Sequence, residues 1–262
     1  MRRLWMSLLL VPVIALAAPA AAWASPTAHA ARTARASRTT RASRTAPANR
    51  TAPANRTASA AAAGALQPGM SSAAVKALQQ RLAALKYYPG SIDGHFGTDT
   101  LEAVWAFEEV QGLPALDYVT SAMNKALAHP KAPEMLAPDG GANRVEVNLS
   151  LEVLVLYQDN QVELISHVST GGGYYYCTDG GCAYAVTPTG NFQTVVFMPG
   201  WVTVPLGFMY NPVFFIGTAF AIHGDTDVPL VPVSHGCVRI PMDIAAFFHT
   251  LVRVPGEPVY IR

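Results

Sequence analysis

From Ser25 to Gly64 the chain carries no Phe, Trp or Tyr and no Val, Ile, Leu or Met. Such a stretch has nothing to bury, so nothing offsets the entropy lost on ordering its backbone. It reads as a disordered tether of Ala, Arg, Thr, Ser, Pro and Asn, with Arg-Thr-Ala-Pro-Ala-Asn occurring twice in succession. Any folded core must therefore come from residues 65–262. The tether holds seven Arg and no acid, whereas residues 65–262 hold nine Lys/Arg against seventeen Asp/Glu, a net −8 behind an overall +1. A basic tail on an acidic body suits attraction to an anionic surface or polymer, or a plain solubilising spacer.

Ahead of the tether, residues 1–24 have a basic start (Arg2, Arg3), an apolar stretch from Leu8 to Ala17, and the small-residue ending Ala22-Trp23-Ala24. This is the pattern of a secretory signal peptide cleaved before Ser25. The alternative is a retained anchor, for which the apolar stretch is short. Either way the rest of the chain is expected outside the cytoplasm, where nucleic acid is not a partner, and no membrane span remains once the leader is removed. Three cysteines in an exported chain call for one pair and one free thiol. Cys177 and Cys182 sit close together in a Gly-rich stretch, and an oxidising exterior favours a bridge between them. Cys237 is then left free, and a free extracellular thiol usually has a chemical reason to be there.

Residues 65–130 read as a small all-α module. Ser71-Ser72 precedes Val75, Leu78, Leu82 and Leu85 at helical spacing. Asp93-Gly94-His95-Phe96-Gly97 turns the chain into a second helix through Leu101, Val104, Trp105 and Phe107, capped by Thr98 or Asp99 and stopped by Gly112. A third helix covers about Thr120 to Ala128. His95 and His129 lack companions at metal spacing and read as surface or turn residues. The run Val75-Lys76-x-Leu78-Gln79-x-x-Leu82, then Ile92-Asp93-Gly94-x-Phe96-Gly97-x-x-Thr100-x-x-Ala103-Val104-x-x-Phe107, resembles the three-helix peptidoglycan-binding domain family. The resemblance implies a module that holds a catalytic partner on the wall polymer. Glu108, where Gln is common, and the bulky Trp105 depart from the pattern. A degenerate packing module is the competing reading.

Residues 131–141, rich in Pro and Gly, read as a linker. In residues 142–262, Val145, Val147, Leu149, Leu151, Val153 and Val155 alternate with Glu146, Asn148, Ser150 and Glu152, a strand with one buried face. Asp159-Asn160 turns it into a second strand, Val162 to Val168. Further β-rich runs are Phe192–Phe197, Trp201–Val204, Val213–Ile222 and Val259–Ile261, and Met242 to Leu251 alone reads as a helix. The expectation is a mostly β, sandwich-like domain with one short helix.

The chemistry concentrates at His223-Gly224 and, eleven residues after His223, Ser234-His235-Gly236-Cys237-Val238-Arg239. A thiol becomes a strong nucleophile as the thiolate and needs a base or an electropositive pocket. His223 ends an apolar strand, Phe214 to Ile222, which would hold a general base in line. Gly236 permits close backbone approach, and the Gly236 and Cys237 N–H groups could form an oxyanion hole. Arg239 is a fork-shaped donor suited to a carboxylate. Spacing alone leaves Cys237 open between a nucleophile and a small buried hydrophobe. His223, His235 and Cys237 are too few for the usual zinc set.

The combination resembles the signature of the L,D-transpeptidase catalytic domain, also called the YkuD domain. Val168-Ser169-Thr170-Gly171 and Thr187-Pro188-Thr189-Gly190-Asn191-Phe192 support the match. The resemblance implies that Cys237 attacks a peptidoglycan stem tetrapeptide, releases D-alanine and forms a thioester, which an amine of another stem resolves as a 3→3 cross-link. It implies His223 as base with its ring oriented by a carbonyl near Gly224. His235, Tyr210, Ser234, Gly224 and the Gly236/Cys237 amides would serve oxyanion or substrate, and Arg239 the donor end. The implied partners are stem peptides and glycan, with no metal or organic cofactor. Gly224 stands where Ser is common, and the Tyr174–Tyr184 insertion with its Cys pair is not a general family feature. Water in place of the amine would make an L,D-carboxypeptidase, and a decayed site would leave a wall-binding protein.

Overall fold

The computed structural model describes residues 65–262. The leader and the tether expected from sequence lie outside those residues. Three helices come first: α1 (Ala73–Ala84), α2 (Thr98–Gln111) and α3 (Ser121–Ala128). Ser72 caps α1, its Oγ accepting from Val75 N at 3.2 Å, and Thr120 caps α3 through Met123 N at 3.0 Å. Neither Thr98 nor Asp99 caps α2. The cap position is Gly97, with no side-chain bond, and Asp99 instead complements the helix dipole in the first turn.

Twelve strands and a fourth helix follow. β1 (Arg144–Asn148), β2 (Val153–Gln158), β3 (Gln161–His167), β12 (Pro258–Ile261) and β6 (Gly190–Gln193) form one sheet in the order β3-β2-β1-β12-β6. β11 (Val238–Ile240), β10 (Phe220–Gly224), β9 (Gly207–Ile216) and β7 (Val196–Phe197) form the second in that order, and β8 (Trp201–Val204) pairs the far end of β9. β4 (Tyr175–Thr178) and β5 (Gly181–Tyr184) make a separate hairpin. Val145, Leu156, Phe215, Ile222 and Val238 from the two sheets share a core with Ile244 and Phe248 of α4 (Met242–Leu251). The mostly β domain with one helix is as the sequence indicates.

The single strand expected across Val145–Val155 is two. Asn148 Oδ1 accepts from Ser150 N and Leu151 N, both at 3.0 Å, and this side-chain turn reverses the chain before β2. Alternating hydrophobicity runs through the turn unbroken and hides it. The run Val213–Ile222 likewise splits at Gly217-Thr218-Ala219 into β9 and β10. The Asp159-Asn160 turn does form, with both residues at positive φ (50° and 61°), as a two-residue hairpin requires.

β2 is buried on both faces. Leu154 and Leu156 enter the sheet core, while Val153, Val155 and Tyr157, with Ile165 of β3, join Leu82, Phe107 and Met123 of the helices in a second core. The helical module is thus packed onto the back of the first sheet. Residues 131–141 are stitched to both parts: Gln111 accepts from Lys131 N at 2.8 Å, and Glu146 accepts from Leu136 N at 2.7 Å. Arg144 and Glu146 form a buried ion pair at 2.6 Å, with the guanidinium over the Tyr157 ring. At the junction of α2 and α4, carboxylate oxygens of Asp99, Glu102 and Asp243 lie within 4.8 Å of one another. Among the described residues no helix is long and apolar enough to cross a membrane.

Candidate active site

β10 and β11 run parallel, with Ile222 beside Val238 and His223 beside Arg239. Ile222 and Val238 point into the main core. Alternation therefore sends His223 and Arg239 to the opposite face, together with Ala221 and Cys237. Cys237 indeed packs against the cluster of Met209, Phe214 and Ala221 on that face. His223, Ser234, His235, Cys237 and Arg239 all line one cleft of about 1110 Å³. One wall is the β4–β5 hairpin and the other is the β8–β9 hairpin, which brings Trp201, Leu206 and Phe208.

The His223 ring is buried, and its Nδ1 lies 2.9 Å from Gly224 O. A carbonyl only accepts, so Nδ1 carries the proton and Nε2 is the basic nitrogen. Burial lowers the His223 pKa, the Gly224 carbonyl and Asp225 opposing it, and the net shift is downward. The Cys237 thiol opens on the cleft yet is mostly surrounded by protein. Burial pushes it up, against an Ala221 backbone hydrogen bond and the Arg239 charge. Burial thus acts against the charged form of both groups.

Other expected site residues take different positions. Ser234 is 2% exposed, and its Oγ donates to Cys237 O at 2.6 Å and accepts from Gly236 N at 3.0 Å. Ser234 thus braces the turn, and the Gly236 N–H is already engaged, which leaves the Cys237 N–H as the oxyanion candidate of that pair. Gly236 sits at φ +131°, where a Cβ would meet Val186 O at 2.7 Å, so this turn needs glycine. Gly224 points to the core side. A Cβ there would meet Ala245 Cβ at 2.6 Å, so a Ser at 224 would face α4 and not the cleft. Tyr210 is outside the cleft lining: its ring packs beside Gly224 and against Trp201 at 5.3 Å. Arg239 is not a free fork. Its Nε pairs with Asp225 at 3.2 Å, and its Nη1 donates to Asp227 O at 3.2 Å.

Cys177 and Cys182 are bonded across the β4–β5 hairpin, directly opposite in register. Tyr174 and Tyr176 of this insertion meet the His235 ring edge-on at 5.5 and 4.7 Å, and Tyr174 OH donates to Val233 O at 3.1 Å. Asp225 and Asp227 carry no motif of their own, and only the closure of their loop brings them to Arg239.

A two-sheet β domain with a cysteine and a histidine on one face of paired strands, preceded by a three-helix module, defines the class. Residues 142–261 match the family model of the L,D-transpeptidase catalytic domain, and residues 71–123 match that of the peptidoglycan binding domain. The crystal structure of an L,D-transpeptidase from Xylanimonas cellulosilytica is 31% identical, with a TM-score of 0.71, covering 76% of this chain and 97% of that one. An L,D-transpeptidase from Stackebrandtia nassauensis is 18% identical over 75% of this chain and 94% of its own, with a TM-score of 0.41. No curated protein matches the chain. The chain belongs to the L,D-transpeptidase family.

Proposed function

We propose that this protein is an exported peptidoglycan L,D-transpeptidase that forms 3→3 cross-links through a Cys237 thioester. The observation that carries this reading is the pairing of β10 with β11, with Cys237 and His223 on one face of the cleft and His223 Nδ1 held by Gly224 O. His223 Nε2 takes the thiol proton as the sulfur attacks the carbonyl preceding the terminal D-alanine of a stem tetrapeptide. The Cys237 N–H stabilises the oxyanion. Collapse of the tetrahedral adduct breaks the peptide bond, and the same proton passes to the departing D-alanine amine. An amine from a second stem then attacks the thioester, gives its proton to His223, and leaves the sulfur as thiol once that proton returns.

A cleft of about 1110 Å³ exceeds what one small ligand fills and leaves room for donor and acceptor strands. Residues 65–130, 131–141 and 142–262 serve as wall-binding module, stitched linker and catalytic domain. The leader at 1–24 and the Cys177–Cys182 bond suit an oxidising, extracytoplasmic space at the wall.

Intact-mass analysis of the chain with a carbapenem, and separately with stem tetrapeptide, tests the reading. A Cys237-dependent adduct together with D-alanine release and cross-linked dimer is expected. Adduct with only tripeptide product would make the protein an L,D-carboxypeptidase. A folded protein that forms no adduct would overturn both.

A further inference from the structure

The loop Asp225–Val233 joins His223-Gly224 to Ser234, so its shape sets how base and nucleophile stand to each other. It is anchored at three points. Arg239 holds its start through Asp225 and Asp227. Ser169 holds its end, its Oγ donating to Val231 O at 2.9 Å and accepting from Val233 N at 3.2 Å. His167, at the end of β3, holds the middle: its Nε2 lies 3.1 Å from Val228 O and 3.2 Å from Pro229 O.

His167 is 1% exposed and depends on the helical module. Its Nδ1 lies 2.9 and 3.1 Å from the two oxygens of Glu109 on α2, and the Trp105 ring meets it edge-on at 5.6 Å. Two carbonyls can only accept, so Nε2 must carry a proton for the loop to be held. A second proton then lies between Nδ1 and Glu109, either on the ring as imidazolium–carboxylate or on the acid as imidazole–carboxyl. Both forms keep the Nε2–H aimed at the loop. Burial raises the Glu109 pKa to about 7 against the pull of His167. For His167, burial works downward, but the Glu109 hydrogen bond and charge and the loop carbonyls outweigh it, and the net shift is upward.

We infer that Glu109 of the helical module is a positioning residue of the active site, acting through His167 on the Val228 and Pro229 carbonyls. The module then completes the catalytic centre as well as carrying the wall-binding fold. The inference rests on Cys237 as nucleophile. Its signature is a change in turnover on a substrate too small to touch the module.

The test measures kcat and KM for D-alanine release from a soluble stem tetrapeptide by the full chain and its variants. Glu109→Ala should lower kcat by roughly ten- to a hundredfold, the range that follows from misplacing a catalytic group, with KM within about twofold. Glu109→Gln should restore kcat to within about threefold of wild type, because its amide can donate to Nδ1 while the Nε2–H still reaches the loop. Lys86→Ala, which removes the exposed Lys86–Glu163 contact between module and sheet, should leave both constants unchanged. The inference is overturned if Glu109→Ala turns over at the wild-type rate, if the loss sits in KM, or if Glu109→Gln is as impaired as Glu109→Ala. Activity surviving in Cys237→Ala would instead remove the reading beneath it. Should Glu109→Ala not fold, nitrogen NMR of the wild-type chain decides. The Nε2 of His167, assigned with His167→Gln, should be protonated and slow to exchange at neutral pH, and a bare Nε2 would overturn the inference.

Discussion

Glu102→Gln should stabilise the protein, and increasingly so as pH rises. Glu102 sits on α2 facing the start of α4, with its carboxylate oxygens within 4.8 Å of those of Asp99 and Asp243. Burial, then the charges of Asp243 and Asp99, raise its pKa to about 8, His167 opposing. Asp243 is raised to about 6 by burial and Asp99, and its Oδ2 has no hydrogen-bond partner. A carboxyl whose folded pKa lies above its unfolded value of 4.5 binds more protons when folded. Its contribution is complete below about pH 4.5 and is lost as pH rises towards 8. For a wholly buried group that loss amounts to about 2.5 kcal/mol between pH 5 and pH 7. Solvent reaches this partly buried group, so about 1–2 kcal/mol is the working expectation. Gln carries no proton equilibrium and keeps the shape. Urea unfolding of both proteins at pH 5, 6, 7 and 8, in chelator so that no divalent cation neutralises the cluster, gives the comparison. The two curves of stability against pH should diverge as pH rises, with the variant on top at pH 8. Parallel curves would refute the argument, because a fixed offset reports packing and not a proton.

Other outcomes follow from the same geometry. Glu108, fully buried with Oε2 accepting from Leu116 N and Oε1 unpartnered, has its pKa raised to about 7 by burial; Glu108→Gln should therefore raise the melting temperature at pH 8 more than at pH 6. Gly236→Ala forces a Cβ against Val186 O in a left-handed backbone, and should cost about 1–3 kcal/mol in urea unfolding and slow carbapenem acylation. Arg144→Ala leaves Glu146 buried without its cation, and should cost about 3–5 kcal/mol by the same measurement. Replacing both Cys177 and Cys182 by Ser loosens an exposed hairpin with local contacts, so global stability should fall by less than about 1 kcal/mol. The acylation rate should nonetheless change, because Tyr174 and Tyr176 steady His235.

Local sequence carried the helices well. α4 spans the residues its apolar spacing indicates, and α1 and α3 begin at hydroxyl caps. The Ser234–Arg239 run and His223-Gly224 stand out in the sequence because each is a short run of chemically unusual residues. Three expected strand runs divide: at Asn148–Glu152 the turn leaves the apolar alternation intact and periodicity cannot see it, at Gly217-Thr218 a short turn interrupts an otherwise apolar run, and Phe192–Phe197 breaks after Gln193 into β6 and β7 of different sheets. Site partners far apart in sequence were not legible either. Glu109 and His167 are 58 residues apart, and β3 reads as an ordinary strand until α2 is laid across it. Arg239 reads in sequence as a free donor because Asp225 and Asp227 reach it only through loop closure. Ser234 and the Gly236 amide read in sequence as available to substrate, and the turn consumes both.

The shared core of α1–α3 with Val153, Val155, Tyr157 and Ile165 has a consequence for how such proteins can be rearranged. Modules strung on a bare linker can be exchanged like beads. Here, exchange would leave four large apolar side chains of β2 and β3 facing water, an aggregation-prone strand surface with nothing over it. A chimera must therefore bring its own matching helix face, or carry polar replacements at those four positions, before it can be soluble.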